Sequence, residues 1–483
     1  MNARSALSLA LPTALRMASA SLVPILLHLA ACGGSGDAGA GGDDGTSSGG
    51  GGSSMHGSSS SASGGSTSSS GGPPPCDQLV EGKDTSIPTE GTPKPALGVP
   101  FQDEHYGLTI VRATDASQVT DHDFPEWVRH EYSRRQAFNA DSSKAYMISS
   151  NGWGRLYDVA PDGALSFLRT IPAGEPTEPN WDATDPNKLY YLSGYGSELV
   201  IKQYDVLADE TEVIRDLTAR VKAIFPAATG MWTKQEGRPS NDGKIWCLEV
   251  GHTVQPGSNF VADGFISYDF VADEILGSMS VSENPDHIST SPLGNYCVPS
   301  WGLPNGTRAY KLDFSSYTQV HDRTEHSDMA IAKDGSEVMI YSAYDGPDSG
   351  FVQMVRLSDG AKTPLFELYG ANSSSTAMHF SGAARNRPGY AIASFYGCTE
   401  GNGATSCNPA TQWFYDKVVA VSLEPSPRIF SLAHVHHGDV GYFGEPVATT
   451  NPDLSRILFV SSWGSTKVSD VASYEIRLDC ALP

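Results

Sequence analysis

Positive charge is scarce in this chain: 32 Lys and Arg stand against 55 Asp and Glu over 483 residues, a formal net charge of −23. No Lys/Arg cluster interrupts that balance, so nothing supplies the basic stripe that a phosphate backbone requires, and nucleic acid is excluded as a partner. Long apolar runs are missing too. The N-terminal one, 21–31, falls short of the roughly 20 residues that span a bilayer. Seven cysteines are present but no Cys-x-x-Cys pair, which removes the common structural zinc sites. From Cys76 onward there is no Gly-x-Ser-x-Gly elbow, no phosphate-binding glycine loop and no His-Glu-x-x-His, so several familiar enzyme classes drop out. Helical periodicity is nearly absent, with Asp216 to Ile224 the best short candidate.

What is present begins with a leader. Arg4 and Arg16 precede the apolar stretch Ser21 to Ala31, which ends at Cys32, the pattern of a signal peptide spanning 1–31. Its last residues, Leu29-Ala30-Ala31-Cys32, resemble the bacterial lipobox, which implies lipidation of Cys32 and a membrane partner through that anchor. An ordinary secretory signal beside a chance cysteine is the alternative. Residues 33–75 are mostly Gly and Ser and cannot bury enough apolar surface to offset chain entropy. Such a coil, with ends on the order of 35 Å apart, suits a tether. Gly33 follows Cys32 where some inner-membrane lipoproteins carry aspartate, so the expected location is the outer membrane or cell surface.

Six cysteines remain beyond Cys32, an even number that allows 15 connectivities in an exported chain. Cys398 and Cys407 flank a polar Gly-rich loop, and Cys76 and Cys480 bracket the region 76–483; both pairs are disulfide candidates. Cys247 and Cys297 lie in apolar runs and read equally well as buried thiols or as partners.

Region 76–483 repeats one phrase seven times, a tight turn followed by a β-prone run. The turns are Ala140-Asp141, Asp185-Pro186-Asn187, Asn241-Asp242-Gly243, Pro292-Leu293-Gly294, Lys333-Asp334-Gly335, Arg387-Pro388-Gly389 and Pro452-Asp453. Their spacing, roughly 40 to 65 residues, fits one four-stranded blade per repeat. The reading is an all-β, seven-bladed β-propeller from about residue 95 to 483 in a single domain, 76–483. An array of β-sandwiches is the alternative, and ring closure is preferred because it protects edge strands. A monomer is expected.

The phrases Asn451-Pro452-Asp453-Leu454-Ser455-Arg456-Ile457-Leu458-Phe459-Val460 and Ser240-Asn241-Asp242-Gly243-Lys244-Ile245-Trp246 resemble the blade repeats of TolB-type propellers. His326, in Glu325-His326-Ser327-Asp328, and the stretch from His434-Val435-His436-His437 to Gly444-Glu445-Pro446 resemble the oligogalacturonate lyases within that group. That resemblance implies a divalent metal (Mn, Zn or Ca) held by histidines, and a basic residue that takes the proton α to a uronate carboxylate. Gly444-Glu445-Pro446 stands where those lyases carry a His-Pro-His-Pro phrase, so the resemblance gives His326 as a ligand, Glu445 in place of one histidine, and His434 or His436 as a nitrogen donor from the preceding loop; His379 joins the candidate metal set from its placement near a blade turn.

Read from the residues alone, these histidines cluster in the last third of the chain, where they could converge at one mouth of the channel or simply bond neighbouring blades. Arg134 and Arg135, in the most basic short stretch of the folded region, and Arg238 are candidates for a base or a carboxylate clamp. Their plainer role is pairing with acids such as Glu178. Trp153, Trp181, Trp301 and Trp463 sit beside turns and would either stack on sugars or fill wedges between blades. The function expected is a metal-assisted lyase acting on acidic oligo- or polysaccharide. Its alternative is a non-catalytic surface propeller that binds a glycan or a protein.

Overall fold

The structure, a computed structural model, describes residues 76, 78–121, 123–253, 259–369, 375–399 and 413–483. The expected Cys398–Cys407 bridge, the tether and Cys32 lie outside the described residues. Seven antiparallel blades follow one another along the chain, which is therefore an all-β, seven-bladed propeller. The first strands of the blades are Val128–Arg129, Asn180–Trp181, Gly230–Trp232, His287–Thr290, Ser327–Ile331, Ser375–Ser381 and Thr449–Thr450. The sole α-helix among the described residues, Thr218–Ile224, falls where the sequence suggested one.

Each repeated turn closes the first strand of a blade and launches the second. The aspartates explain why. Asp141, Asp185, Asp242, Asp334 and Asp453 each accept, through Oδ1, the backbone N–H two residues on, at 2.9–3.0 Å. This local bond makes the turn itself. Gly243 and Gly335 adopt φ of 73° and 83° in two of these turns, a region that L side chains enter only with strain.

The ring is closed by the N-terminal segment. Thr109–Arg112 pairs with Ala472–Arg477, Ile110 facing Ile476, and Pro100–Gln102 pairs outside it. Blade seven thus takes three strands from the C-terminus and its outer strands from the start of the domain. Upstream of these, Val80–Glu81 adds to the outer strand of blade six, Ile429–His434. A disulfide joins Cys76 to Cys480 across 404 residues. A second joins Cys247 to Cys297, on the second strands of blades three and four, and so resolves what the sequence left open.

Burial orders the strands within a blade. His287–Thr290 is buried throughout, whereas the fourth strand of blade three, Glu274–Ser280, alternates between exposed and half-buried. First strands therefore line the central channel and fourth strands face solvent, the arrangement of a propeller. Trp181, Trp301 and Trp463 are buried in the apolar layers between blades. Each wedge of that size is worth roughly 1.5–3 kcal/mol in removed apolar surface.

Candidate functional site at the channel mouth

Three of the five expected metal-binding residues come together where blades five, six and seven meet the channel. His326 precedes the first strand of blade five, His379 lies on that of blade six, and Glu445 ends a short turn before that of blade seven. The rings of His326 and His379 stack with centroids 4.8 Å apart and planes 19° from parallel. His379 Nε2 lies 2.9 Å from Glu445 Oε2. His326 Nδ1 donates to the Met378 carbonyl at 2.8 Å, which leaves Nε2 as the unprotonated nitrogen. Among the described residues His379 Nδ1 is buried without a hydrogen-bond partner. Burial and the neighbouring His379 pull the His326 imidazole down to about 4, so it is neutral at neutral pH. Glu445 is held below the usual carboxylate range: burial opposes its charge, but His379, His326 and Tyr396 outweigh burial.

Opposite stands a charged group centred on Arg134. Its Nη1 lies 2.8 Å from both Glu236 Oε2 and His287 Nε2, and its Nη2 donates to Ser327 Oγ at 3.2 Å. His287 Nε2 therefore accepts, and Nδ1 is the protonated nitrogen, directed at Asp286 Oδ2 at 3.2 Å. Thr324 Oγ1 donates to the same Asp286 oxygen at 2.9 Å. Burial disfavours the Arg134 charge, but Glu236, Tyr132, Asp328 and Asp286 together raise its pKa. The guanidinium is thus fixed as a cation and suits a carboxylate clamp better than a base. Tyr132 joins the two groups, its ring edge-on to His379 at 5.2 Å and under the Arg134 guanidinium at 6.0 Å.

The other expected residues are held elsewhere. Arg135 is buried beside Glu131 and Glu178, at 3.6 and 3.9 Å. Glu178 receives the Thr233 and Gln235 amides and so straps blade two to blade three. Arg238 donates to the carbonyls of Arg134 and Met329 and pairs with Asp328 at 3.2 Å; its whole fork is spent on tying blades together. His434 and His436 do not join His326. His434 ends the outer strand of blade six, buried against Asp103, Ser86 and Tyr106, and His436 stacks on Trp463 at 4.2 Å. The physical reason is strand order: a residue at the end of a fourth strand cannot face the channel.

Sequence reasoning missed Asp286 and His287. Among the described residues, Glu236, Asp286 and His287 form the one set of three His, Cys or acidic residues whose ligand atoms lie within 4.8 Å of one another. A signal existed in the sequence: Asp286-His287 and Glu325-His326 are the same acid-histidine pair at the head of consecutive first strands. His326, His379 and Glu445 offer the imidazole and carboxylate donors that suit a borderline divalent cation, although their ligand atoms do not all lie within 4.8 Å of one another, while at Glu236 and His287 the Arg134 guanidinium already stands among the donors.

No protein-family model matches this sequence, and no curated protein does. Solved structures do. An oligogalacturonate lyase from Vibrio parahaemolyticus is 12% identical with a TM-score of 0.51, over 78% of this chain and 96% of that one. A structure of an oligogalacturonate lyase in complex with manganese is 13% identical with a TM-score of 0.51, over 79% of this chain and 96% of that one. At such identities the likeness is one of fold, and what this chain shares with both is the β-propeller architecture.

Proposed function

We propose that this protein is a tethered, exported propeller whose channel mouth binds an acidic oligosaccharide and cleaves it by β-elimination, as a lyase. The observation that carries the reading is the meeting of two unlike groups across Tyr132: the stacked imidazoles of His326 and His379 with Glu445 on one side, a guanidinium held in its charged form on the other. His326, His379 and Glu445 would hold a divalent cation, manganese or zinc by donor type, which supplies Lewis-acid polarisation of a uronate carboxylate. Arg134 forks onto that carboxylate and orients the sugar. Once Arg134 has turned onto the carboxylate and released His287 Nε2, that nitrogen, with Nδ1–H held by Asp286, takes the proton from the carbon α to the carboxylate. The electron pair left behind forms the carbon–carbon double bond as the neighbouring glycosidic C–O bond breaks, and the leaving oxygen picks up a proton from water.

The lipid anchor at Cys32 and an outer-membrane or cell-surface location belong to the same reading. Two disulfides are compatible with an oxidising compartment, and no described helix is long and apolar enough to cross a membrane.

Elemental mass spectrometry of the purified protein, beside a spectrophotometric assay for unsaturated uronide product, tests the proposal. Near-stoichiometric metal and turnover, both lost in His326→Ala and His379→Ala, are expected. Unchanged metal content and turnover in both variants would end the lyase reading. A non-catalytic glycan- or protein-binding propeller would then stand, and one observation favours it: Arg134 is already engaged by Glu236 and His287.

A further inference from the structure

The tryptophans that the sequence offered as sugar platforms are largely wedged between blades, yet the channel mouth does carry an exposed aromatic surface. Tyr442 and Phe443 are 49% and 39% exposed and form a short 3₁₀ turn, Tyr442–Gly444, directly before Glu445. The turn is anchored by Gly441, at φ 68°, and the Glu445 amide donates to the Tyr442 carbonyl at 3.3 Å. The two rings and the candidate site therefore share one turn of backbone.

The rings stand on a fixed base. Phe443 packs on buried Trp127 with centroids 4.9 Å apart, and Tyr442 contacts Phe443 at 5.7 Å. Beneath them lies Arg129, itself 1% exposed. Its Cζ is 5.5, 5.9 and 6.0 Å from the centroids of Trp127, Tyr442 and Phe443, and its Nη1 is held by the carbonyls of His130 and Glu131. A desolvated guanidinium under three ring faces rigidifies such a cluster. The outer faces stay open to solvent, a costly display of apolar area that points to a ligand.

We infer that Tyr442 and Phe443 form a pyranose-stacking subsite, which receives the sugar next to the one held at His326, His379 and Arg134. This rests on the acidic-saccharide reading of the mouth. A pyranose ring offers an apolar C–H face of the width of one aromatic ring and a polar rim, which matches two exposed rings bordered by polar side chains. The carboxylates of Glu175, Glu236 and Glu445 act on the Tyr442 phenol, which burial and those charges push up against the pull of Arg129. Two rings fall far short of the roughly 800 Å² per partner of a stable protein interface.

The test is calorimetric titration of the full chain with mono-, di- and trigalacturonate, comparing wild type with the Tyr442→Ala/Phe443→Ala double variant and with Tyr442→Phe/Phe443→Tyr. In the wild type affinity is expected to climb with chain length. In the alanine pair the ratio of trimer to monomer affinity is expected to fall about tenfold, while the aromatic-preserving pair keeps that ratio and shows that the turn tolerates substitution. An alanine pair that keeps the full chain-length gain overturns the subsite and leaves the saccharide reading standing. A wild type that binds none of the three overturns the saccharide reading itself, and the subsite with it.

Discussion

Two histidine clusters, one at the channel and one at the rim, use the same residue types to opposite ends. At the rim, His434 is enclosed by the arm that precedes the first blade. Its backbone N–H donates to Asp103 at 3.2 Å, and its ring faces Asp103, Ser86 and Tyr106. Lys417, fully buried, donates to the Asp84 carbonyl and pairs with the Asp84 carboxylate at 3.4 Å. Tyr106 donates to the same carboxylate at 2.9 Å. Every strong group there is answered by another, and the product is adhesion of residues 84–106 to blade six. At the channel, His379 retains an unanswered nitrogen, and Arg134 is kept charged nearby. Valences left open in a buried, preorganised place are what a ligand or a metal completes; valences closed are what holds a fold together.

If that contrast is right, breaking the rim should cost stability and breaking the channel should cost function. The largest effect is expected from Cys76→Ser with Cys480→Ser. Removing a cross-link that closes so long a loop costs about 3–5 kcal/mol, read as a lower denaturation midpoint and as early proteolysis before residue 109. Next comes Lys417→Met, which strips the Asp84 carboxylate of its cation and should cost roughly 3 kcal/mol, with the same proteolytic signature and metal content untouched.

Acid should then loosen the arm before the blades. The Asp84 carboxyl is held down to about 2: burial opposes its charge, but bonds from Ser86, Tyr106 and Lys417 outweigh burial. A depressed acid contributes its stabilisation in full above the unfolded value near 4 and loses it as pH falls through 2. Hydrogen exchange across 84–106 between pH 4 and pH 2 would show this. If the arm keeps full protection at pH 2, the network is not what holds it. The smallest change in stability is expected from Glu445→Gln, under about 1 kcal/mol because an amide can still meet His379, yet metal retention and uronide turnover should fall by at least tenfold. A Glu445→Gln protein that melts early with its turnover intact would reverse the comparison.

The blades were legible in the sequence because their signal is local. Each of the seven turn phrases lies between the first and second strands of a blade, and the aspartate in five of them makes the bond that forms the turn. Asp216 to Ile224 likewise fell on the helix. The site was legible only in part. His326, His379 and Glu445 stand out as unusual residues beside turns, but His434 and His436 stand out in the same way and end at the rim. Arg134, Arg135 and Arg238 are indistinguishable by type, yet one faces the mouth, one is buried beside Glu131 and Glu178, and one is consumed by carbonyls. His287 escaped notice although its pairing with Asp286 repeats that of Glu325 and His326 one blade later.

The sequence by itself determined the number of blades, the strand-turn rhythm and the acidic balance of charge, because each follows from neighbours along the chain or from summed charge. Only the tertiary structure decided which histidines meet, that Cys247 bonds Cys297, that the N-terminal segment completes the last blade, and that Tyr442 and Phe443 rather than the tryptophans face solvent at the mouth. Those outcomes depend on ring closure, which brings residues hundreds of positions apart onto one axis and assigns each to the inner or the outer strand of its blade. Periodicity along the chain carries no record of that assignment.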